Sequence, residues 1–222
     1  NLSVWTPVET DIPAAPETNT KTVTPPTSAA LYYRVEEFPK PPTIIYAENF
    51  DASPDLPAGW TTGTNPGDTG TTEWQVGAPS NPGPPAANSG SNCAGTNLTA
   101  NHGISSDIWL RSSATINLTD ASGARLIFQQ RIEMDDFDFG DVGSVRILDA
   151  AGLPGTVTEL GVVKANIQGL NPTGWVQFSA KIPSAALGKT VAVEFRFVSD
   201  NIAAVAASGW YIDDVTVFAQ VP

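Results

Sequence analysis

The chain is poor in the groups on which most enzymes depend. Its 222 residues hold one cysteine, one histidine and one methionine. A lone Cys93 forms no intrachain disulfide, and a chain of this length folds without such staples. Set among small residues in Gly90-Ser91-Asn92-Cys93-Ala94-Gly95-Thr96, it reads as a buried, inert thiol. His102, in Ala100-Asn101-His102-Gly103, reads as a surface loop residue with no Ser or Asp partner evident in the sequence. There is no His-Glu-x-x-His zinc motif and no Gly-x-Ser-x-Gly elbow. With 23 Asp and Glu residues, a carboxylate pair for glycoside hydrolysis can be nominated anywhere, so no single pair is informative. The sequence predicts a protein that is not an enzyme.

Cations are scarce as well: 11 Lys and Arg against 23 acids give a net charge of -12. Nucleic-acid affinity comes mainly from cations that neutralise phosphates, so this balance excludes nucleic acid and disfavours anionic membranes. No apolar run approaches the roughly 20 residues that span a bilayer, and no basic segment followed by an apolar one opens the chain. A secretory signal is therefore expected to have been removed or to lie outside this sequence. What is abundant is carboxylate, the ligand type that Ca²⁺ prefers. Solubility alone accounts for most of these acids.

Residues 1–43 differ from the rest. They are rich in Pro and Thr and hold two strand-like pieces, Leu2-Ser3-Val4-Trp5-Thr6 and Ala30-Leu31-Tyr32-Tyr33-Arg34-Val35. Pro39, Pro41 and Pro42 then form a stiff, extended link. Two or three short strands bury no core of their own, so this arm is expected to dock on the main domain, on an upstream domain or on another molecule. Residues 44–222 read as all-β. Candidate strands cover 44–50, 73–77, 108–118, 124–133, 142–149, 157–164, 174–182, 190–199 and 209–218. The clearest is Val191 to Val198, where Val191, Val193, Phe195 and Phe197 alternate with Glu194 and Arg196. Ser184 to Gly188 is a helical turn at most. Residues 62–106 form a Gly/Pro/Asn-rich excursion, expected either to be pinned down or to form a binding rim.

Two acidic strand ends stand out. Gly209-Trp210-Tyr211-Ile212-Asp213-Asp214-Val215-Thr216-Val217 breaks a strand-forming run with adjacent carboxylates, which strands disfavour. Upstream, Ile44-Ile45-Tyr46-Ala47-Glu48-Asn49-Phe50-Asp51 also ends in acids. Glu48, Asp51, Asp213 and Asp214 are the candidate ligands of a structural Ca²⁺, which completes its shell of 6–8 oxygens with carbonyls. Side chains of consecutive strand residues point to opposite faces, so only one of Asp213 and Asp214 is expected to enter such a site. A second acidic run, Glu133 to Asp141, lacks EF-hand spacing and reads as a solvated hairpin tip.

Glu48-Asn49-Phe50-Asp51 followed by Leu56-Pro57-Ala58-Gly59-Trp60 resembles the opening of bacterial MAM-like and cleaved-adhesin-type modules. Trp74-Gln75-Val76-Gly77-Ala78-Pro79, Ser89-Gly90, Gly95-Thr96-Asn97-Leu98, Trp109-Leu110-Arg111-Ser112, Ile116-Asn117-Leu118 and the Gly209–Val217 run continue the likeness across about 44–218. The resemblance implies a jelly-roll β-sandwich with a structural Ca²⁺ site, carried by secreted or cell-surface bacterial proteins and used for adhesion or assembly. Trp60, Trp74, Trp109 and Trp210 fall on motif positions of that fold and are expected in its core. Trp175, Trp5 and Tyr33 are left as the aromatic candidates for binding a polysaccharide. Two functions compete: a surface adhesion or assembly protein, self-associating into an oligomer or filament through residues 1–43, and a carbohydrate-binding accessory module of a secreted enzyme. Asn97-Leu98-Thr99, Asn117-Leu118-Thr119 and Asn1-Leu2-Ser3 fit the glycosylation sequon, which carries little weight in a chain that resembles bacterial modules.

Overall fold

The computed structural model describes residues 41–134, 140–170, 174–202 and 207–221. The arm through residue 40, with Trp5 and Tyr33, lies outside them. Among the described residues thirteen strands form two antiparallel sheets: β1 (Thr43–Glu48), β2 (Thr61–Thr64), β3 (Trp74–Gly77), β4 (Cys93–Thr96), β5 (Asp107–Arg111), β6 (Ile116–Asn117), β7 (Gly123–Met134), β8 (Val142–Asp149), β9 (Glu159–Ile167), β10 (Gly169–Leu170), β11 (Val176–Lys181), β12 (Thr190–Val198) and β13 (Gly209–Gln220). The first sheet runs β10-β7-β13-β4-β3, with β1 also on β13 and β11 also on β7; the second runs β2-β5-β12-β8-β9, with β6 on β12. The β-sandwich read from the sequence is the fold observed.

Period-2 patterning places the core between the sheets. In β12, Val191, Val193, Phe195 and Phe197 are fully buried, and they face Phe128 of β7 and Trp210 of β13. Phe195 stands edge-on to both, with ring centroids at 5.2 and 5.8 Å. Trp74 meets Trp210 at 5.6 Å and Phe50 meets Trp60 at 5.1 Å. Truncating one of these rings to Ala removes about 3–5 kcal/mol of packing. Trp60, Trp74 and Trp210 are core residues as expected.

Trp109 is not. Ile108 and Leu110 take the inward positions of β5, so Trp109 faces outward on the second sheet. Its indole lies over Gly63 of β2, where a Cβ would stand 2.3 Å from the ring. The Arg111 guanidinium covers it at 4.1 Å from the ring centre. Beside it Glu194, also outward yet fully buried, lies between Arg111 and Arg146. Strict alternation does not distinguish an inward aromatic from one roofed over by its own neighbours.

The excursion 62–106 is pinned. It contains β3 and the buried strand β4, whose small residues carry too weak a strand signal to read from sequence. The loop after β3 closes over the outer face of the first sheet. Tyr211, outward from β13, is fully buried there with Cys93 and Leu98, and Ala87 and Trp175 pack against them. Cys93 is the inert thiol expected, and burial together with the nearby Asp213 charge pushes its pKa up. Ser184–Ala186 is a single 3-10 turn, as the sequence indicates.

Candidate functional site

The paired acids of β13 sit at a break in the strand. Pairing with β7 slips between Asp213 and Thr216, and Asp214 takes a left-handed φ of 51°. The bulge corrects the expectation that the two side chains diverge: both carboxylates turn to the same segment of the covering loop. Asp213 Oδ2 accepts from the backbone N–H groups of Asn88 (2.9 Å) and Ser89 (3.1 Å), and its Oδ1 accepts from the Asp214 N–H at 2.8 Å. Asp214 accepts from Asn88 Nδ2 and Ser89 Oγ, both at 2.7 Å.

Asp51 holds the other end of that segment. Its Oδ1 accepts from the N–H groups of Ser91 (2.7 Å) and Asn92 (3.0 Å), bonds that depress its pKa. Its carboxylate lies against Gly90, whose φ is 55°; a Cβ there would fall 1.7 Å from Asp51 Oδ2. Glu48 turns back on its own chain, accepting from the Phe50 N–H at 2.8 Å. Three of the four predicted acids therefore converge on residues 88–92, a segment that the sequence marks only through Ser89-Gly90, part of the family likeness, and not as the acids' partner.

Asp213 is fully buried. Burial raises its pKa, the Asp214 charge adds to this, and the three N–H bonds only partly offset them, leaving it at about 7. Among the described residues no Lys, Arg or His pairs with Asp51, Asp213 or Asp214. An acid pair held without a counter-charge, with carboxylate, amide and hydroxyl oxygens around it, suits a hard cation in kind. A shallow groove of ≈ 320 Å³ runs beside it, lined by Ala47, Glu48, Asn49, Asp214 and Thr216. Among the described residues no three Asp, Glu, His or Cys side chains gather at one point, so a cation here would lean on carbonyl oxygens and water.

Other chemistry-bearing groups are engaged elsewhere. His102 is not the free surface residue expected: its side chain is 5% exposed, with Nε2 3.0 Å from Asp141 Oδ2. Its Nδ1 faces the Gly103 carbonyl at 3.1 Å, and Phe197 stands edge-on at 5.2 Å. Burial opposes the charged ring, but Asp141 and the carbonyl outweigh it and its pKa is raised. Asp141 is itself 2% exposed, so this end of the 133–141 run is no solvated tip; residues 135–139 lie outside the described ones. The pairing spans 39 positions and left no sequence signal. Trp175 is half-buried and donates its indole N–H to the Ala86 carbonyl at 3.1 Å, which makes it a fastener of the covering loop.

No family model matches the chain. Over 177 residues it is 31% identical to bacillopeptidase F of Bacillus subtilis (strain 168), a match that covers 79% of this chain and 11% of that protein. The chain thus spans about 11% of the length of the curated relative it matches. Among solved structures, a cyclase from Fischerella sp. TAU superposes with a TM-score of 0.53 at 17% identity, over 82% of this chain and 98% of that one. The K1 cleaved adhesin domain of Lys-gingipain from Porphyromonas gingivalis W83 reaches 0.47 at 20% identity, covering 80% and 98%. The CBM22-1 xylan-binding domain of Paenibacillus barcinonensis Xyn10C reaches 0.46 at 12%, covering 82% and 97%. The likeness to the cyclase establishes a shared β-sandwich fold and, at that identity, nothing about activity.

Proposed function

We propose that this chain is a non-catalytic β-sandwich module of a longer, secreted or surface-exposed bacterial protein, and that it works by adhesion or assembly. The observation that carries this reading is the use to which its acids are put. Asp51, Asp213 and Asp214 fasten residues 88–92 over the first sheet, and His102 and Glu194 are committed to buried ion pairs. Groups that could do chemistry are spent on holding the surface in shape. The match to a short stretch of a far longer protein supports a modular role.

Calcium belongs to the same proposal. Asp213 and Asp214, completed by carbonyl oxygens and water, hold a structural Ca²⁺ that supplies the missing counter-charge and locks the covering loop, with Asp51 fastening the far end of that loop and Glu48 lining the adjoining groove. Thermal melts in millimolar CaCl₂ and in EDTA test this, since a ligand at 100 times its Kd stabilises by about 2.7 kcal/mol. Identical melting curves would remove calcium from the proposal. A polysaccharide is the second candidate partner, with the half-buried Trp175 as its aromatic contact. Flat binding isotherms against a polysaccharide panel would eliminate it.

A further inference from the structure

A sheet edge presents unpaired N–H and C=O groups, and proteins blunt such edges with short strands, bulges or proline. Most edges here are blunted. β2 and β3 are four residues long, and β6 and β10 two. β9 slips register three times against β8. β1 follows Pro41-Pro42 and slips between Ile44 and Tyr46. β11 is different: six consecutive residues pair with β7, from Val176 opposite Gln130 to Lys181 opposite Arg125, without a bulge. Among the described residues its backbone bonds to nothing but β7.

The core is also incompletely covered there. Val176, on the core-facing side of β11, is 38% exposed. Phe178 is only partly buried, stacked on Phe128 at 4.7 Å, and Leu160 and Val163 of the adjacent β9 are partly buried too. One more strand along β11 would satisfy its backbone and lay alternate apolar side chains over Val176 and Phe178.

We propose that β11 is an acceptor edge and that the added strand is Leu31–Val35 of a second copy of this chain. This rests on the assembly reading above and names its joint. Residues 1–40 lie outside the described ones, and within them Leu31, Tyr33 and Val35 alternate with Tyr32 and Arg34, the pattern of a strand with one buried face. A parallel alignment brings Glu36 to Lys181, pairing opposite charges. Pro39, Pro41 and Pro42 favour extended backbone, which suits a reach to a second copy.

The test is light scattering of the full chain across a concentration series, for wild type, V176K and the double variant L31D/Y33D. V176K points a charge inward at an exposed edge position, a change the isolated fold tolerates, as an unaltered melting curve will verify. The wild type is expected to self-associate, and each variant to move the midpoint at least about tenfold upward. Should V176K unfold, a mixture of the Y32C and Q177C proteins serves instead, and a mixed disulfide dimer is the expected product. A wild type monomeric at every concentration overturns the proposal, as does association unchanged in V176K or a Y32C/Q177C double variant that closes only within one chain. Loss of association in L31D/Y33D alone would overturn β11 as acceptor while keeping the arm as the joint. Calcium and polysaccharide binding are measured on the monomer, so the module reading stands or falls separately.

Discussion

Asp213 makes stability fall as pH rises, the reverse of an ordinary paired carboxylate. Its folded pKa of about 7 exceeds the value near 3.8 for the free side chain. The folded state therefore binds a proton more tightly than the unfolded chain between pH 4 and 7, and the slope of unfolding free energy with pH is negative there. A shift of about three units corresponds to at most about 4 kcal/mol, each unit carrying 1.36 kcal/mol. For a domain of this size that is roughly 8–16 °C in melting temperature. In EDTA the protein should melt higher at pH 5 than at pH 8. Asp51 and Asp107, whose pKa values are depressed, lose their stabilisation only below about pH 4, outside this range. D213N keeps the shape, removes the titrating charge, and should flatten the profile between pH 5 and 7. Calorimetry on both proteins decides the matter: equal melting temperatures for wild type at the two pH values, or an undiminished slope in D213N, would refute the reasoning. Calcium at pH 8 is expected to recover most of the difference in wild type and none in D213N.

Further outcomes follow from single contacts. H102Q breaks the buried pair with Asp141 and should cost about 3–5 kcal/mol near neutral pH; because the His102 pKa is raised, wild type sheds that stabilisation as pH climbs beyond its folded pKa, and the cost of H102Q, read from urea midpoints, should shrink at pH 9–10. G90A drives a Cβ into the Asp51 carboxylate at a left-handed φ, and about 1–3 kcal/mol of strain should appear together with faster proteolysis at residues 86–92. E194A leaves Arg111 and Arg146 without their shared partner and should lower stability by about 3–5 kcal/mol, with near-native far-UV circular dichroism. An E194A protein as stable as wild type would mean that the cluster on the second sheet is decorative.

Legibility followed the range of the interaction. Strand character depends on alternation within a few residues, so β7, β8, β12 and β13 could be read directly. β4 could not, because Cys93-Ala94-Gly95-Thr96 owes its strand to β3 and β13 and not to its own propensity. Trp60, Trp74 and Trp210 were identifiable as core; Trp109 was misplaced because its burial comes from Arg111 and Gly63, across the outer face. Asp51, Asp213 and Asp214 were visible as acids out of place in strands, whereas their common partner, residues 88–92, lies about 40 positions from one and about 125 from the others.

The sequence by itself determined that this is an acidic, all-β chain with a hydrophobic face on every long strand and carboxylates where strands rarely carry them. Only the tertiary structure decided what those carboxylates touch, which way the bulge at Asp213 turns them, that His102 meets Asp141, and which strands lie at the sheet edges among the described residues. Composition and period are properties of neighbouring residues, but a buried charge takes its partner, and its pKa, from whatever the fold brings beside it.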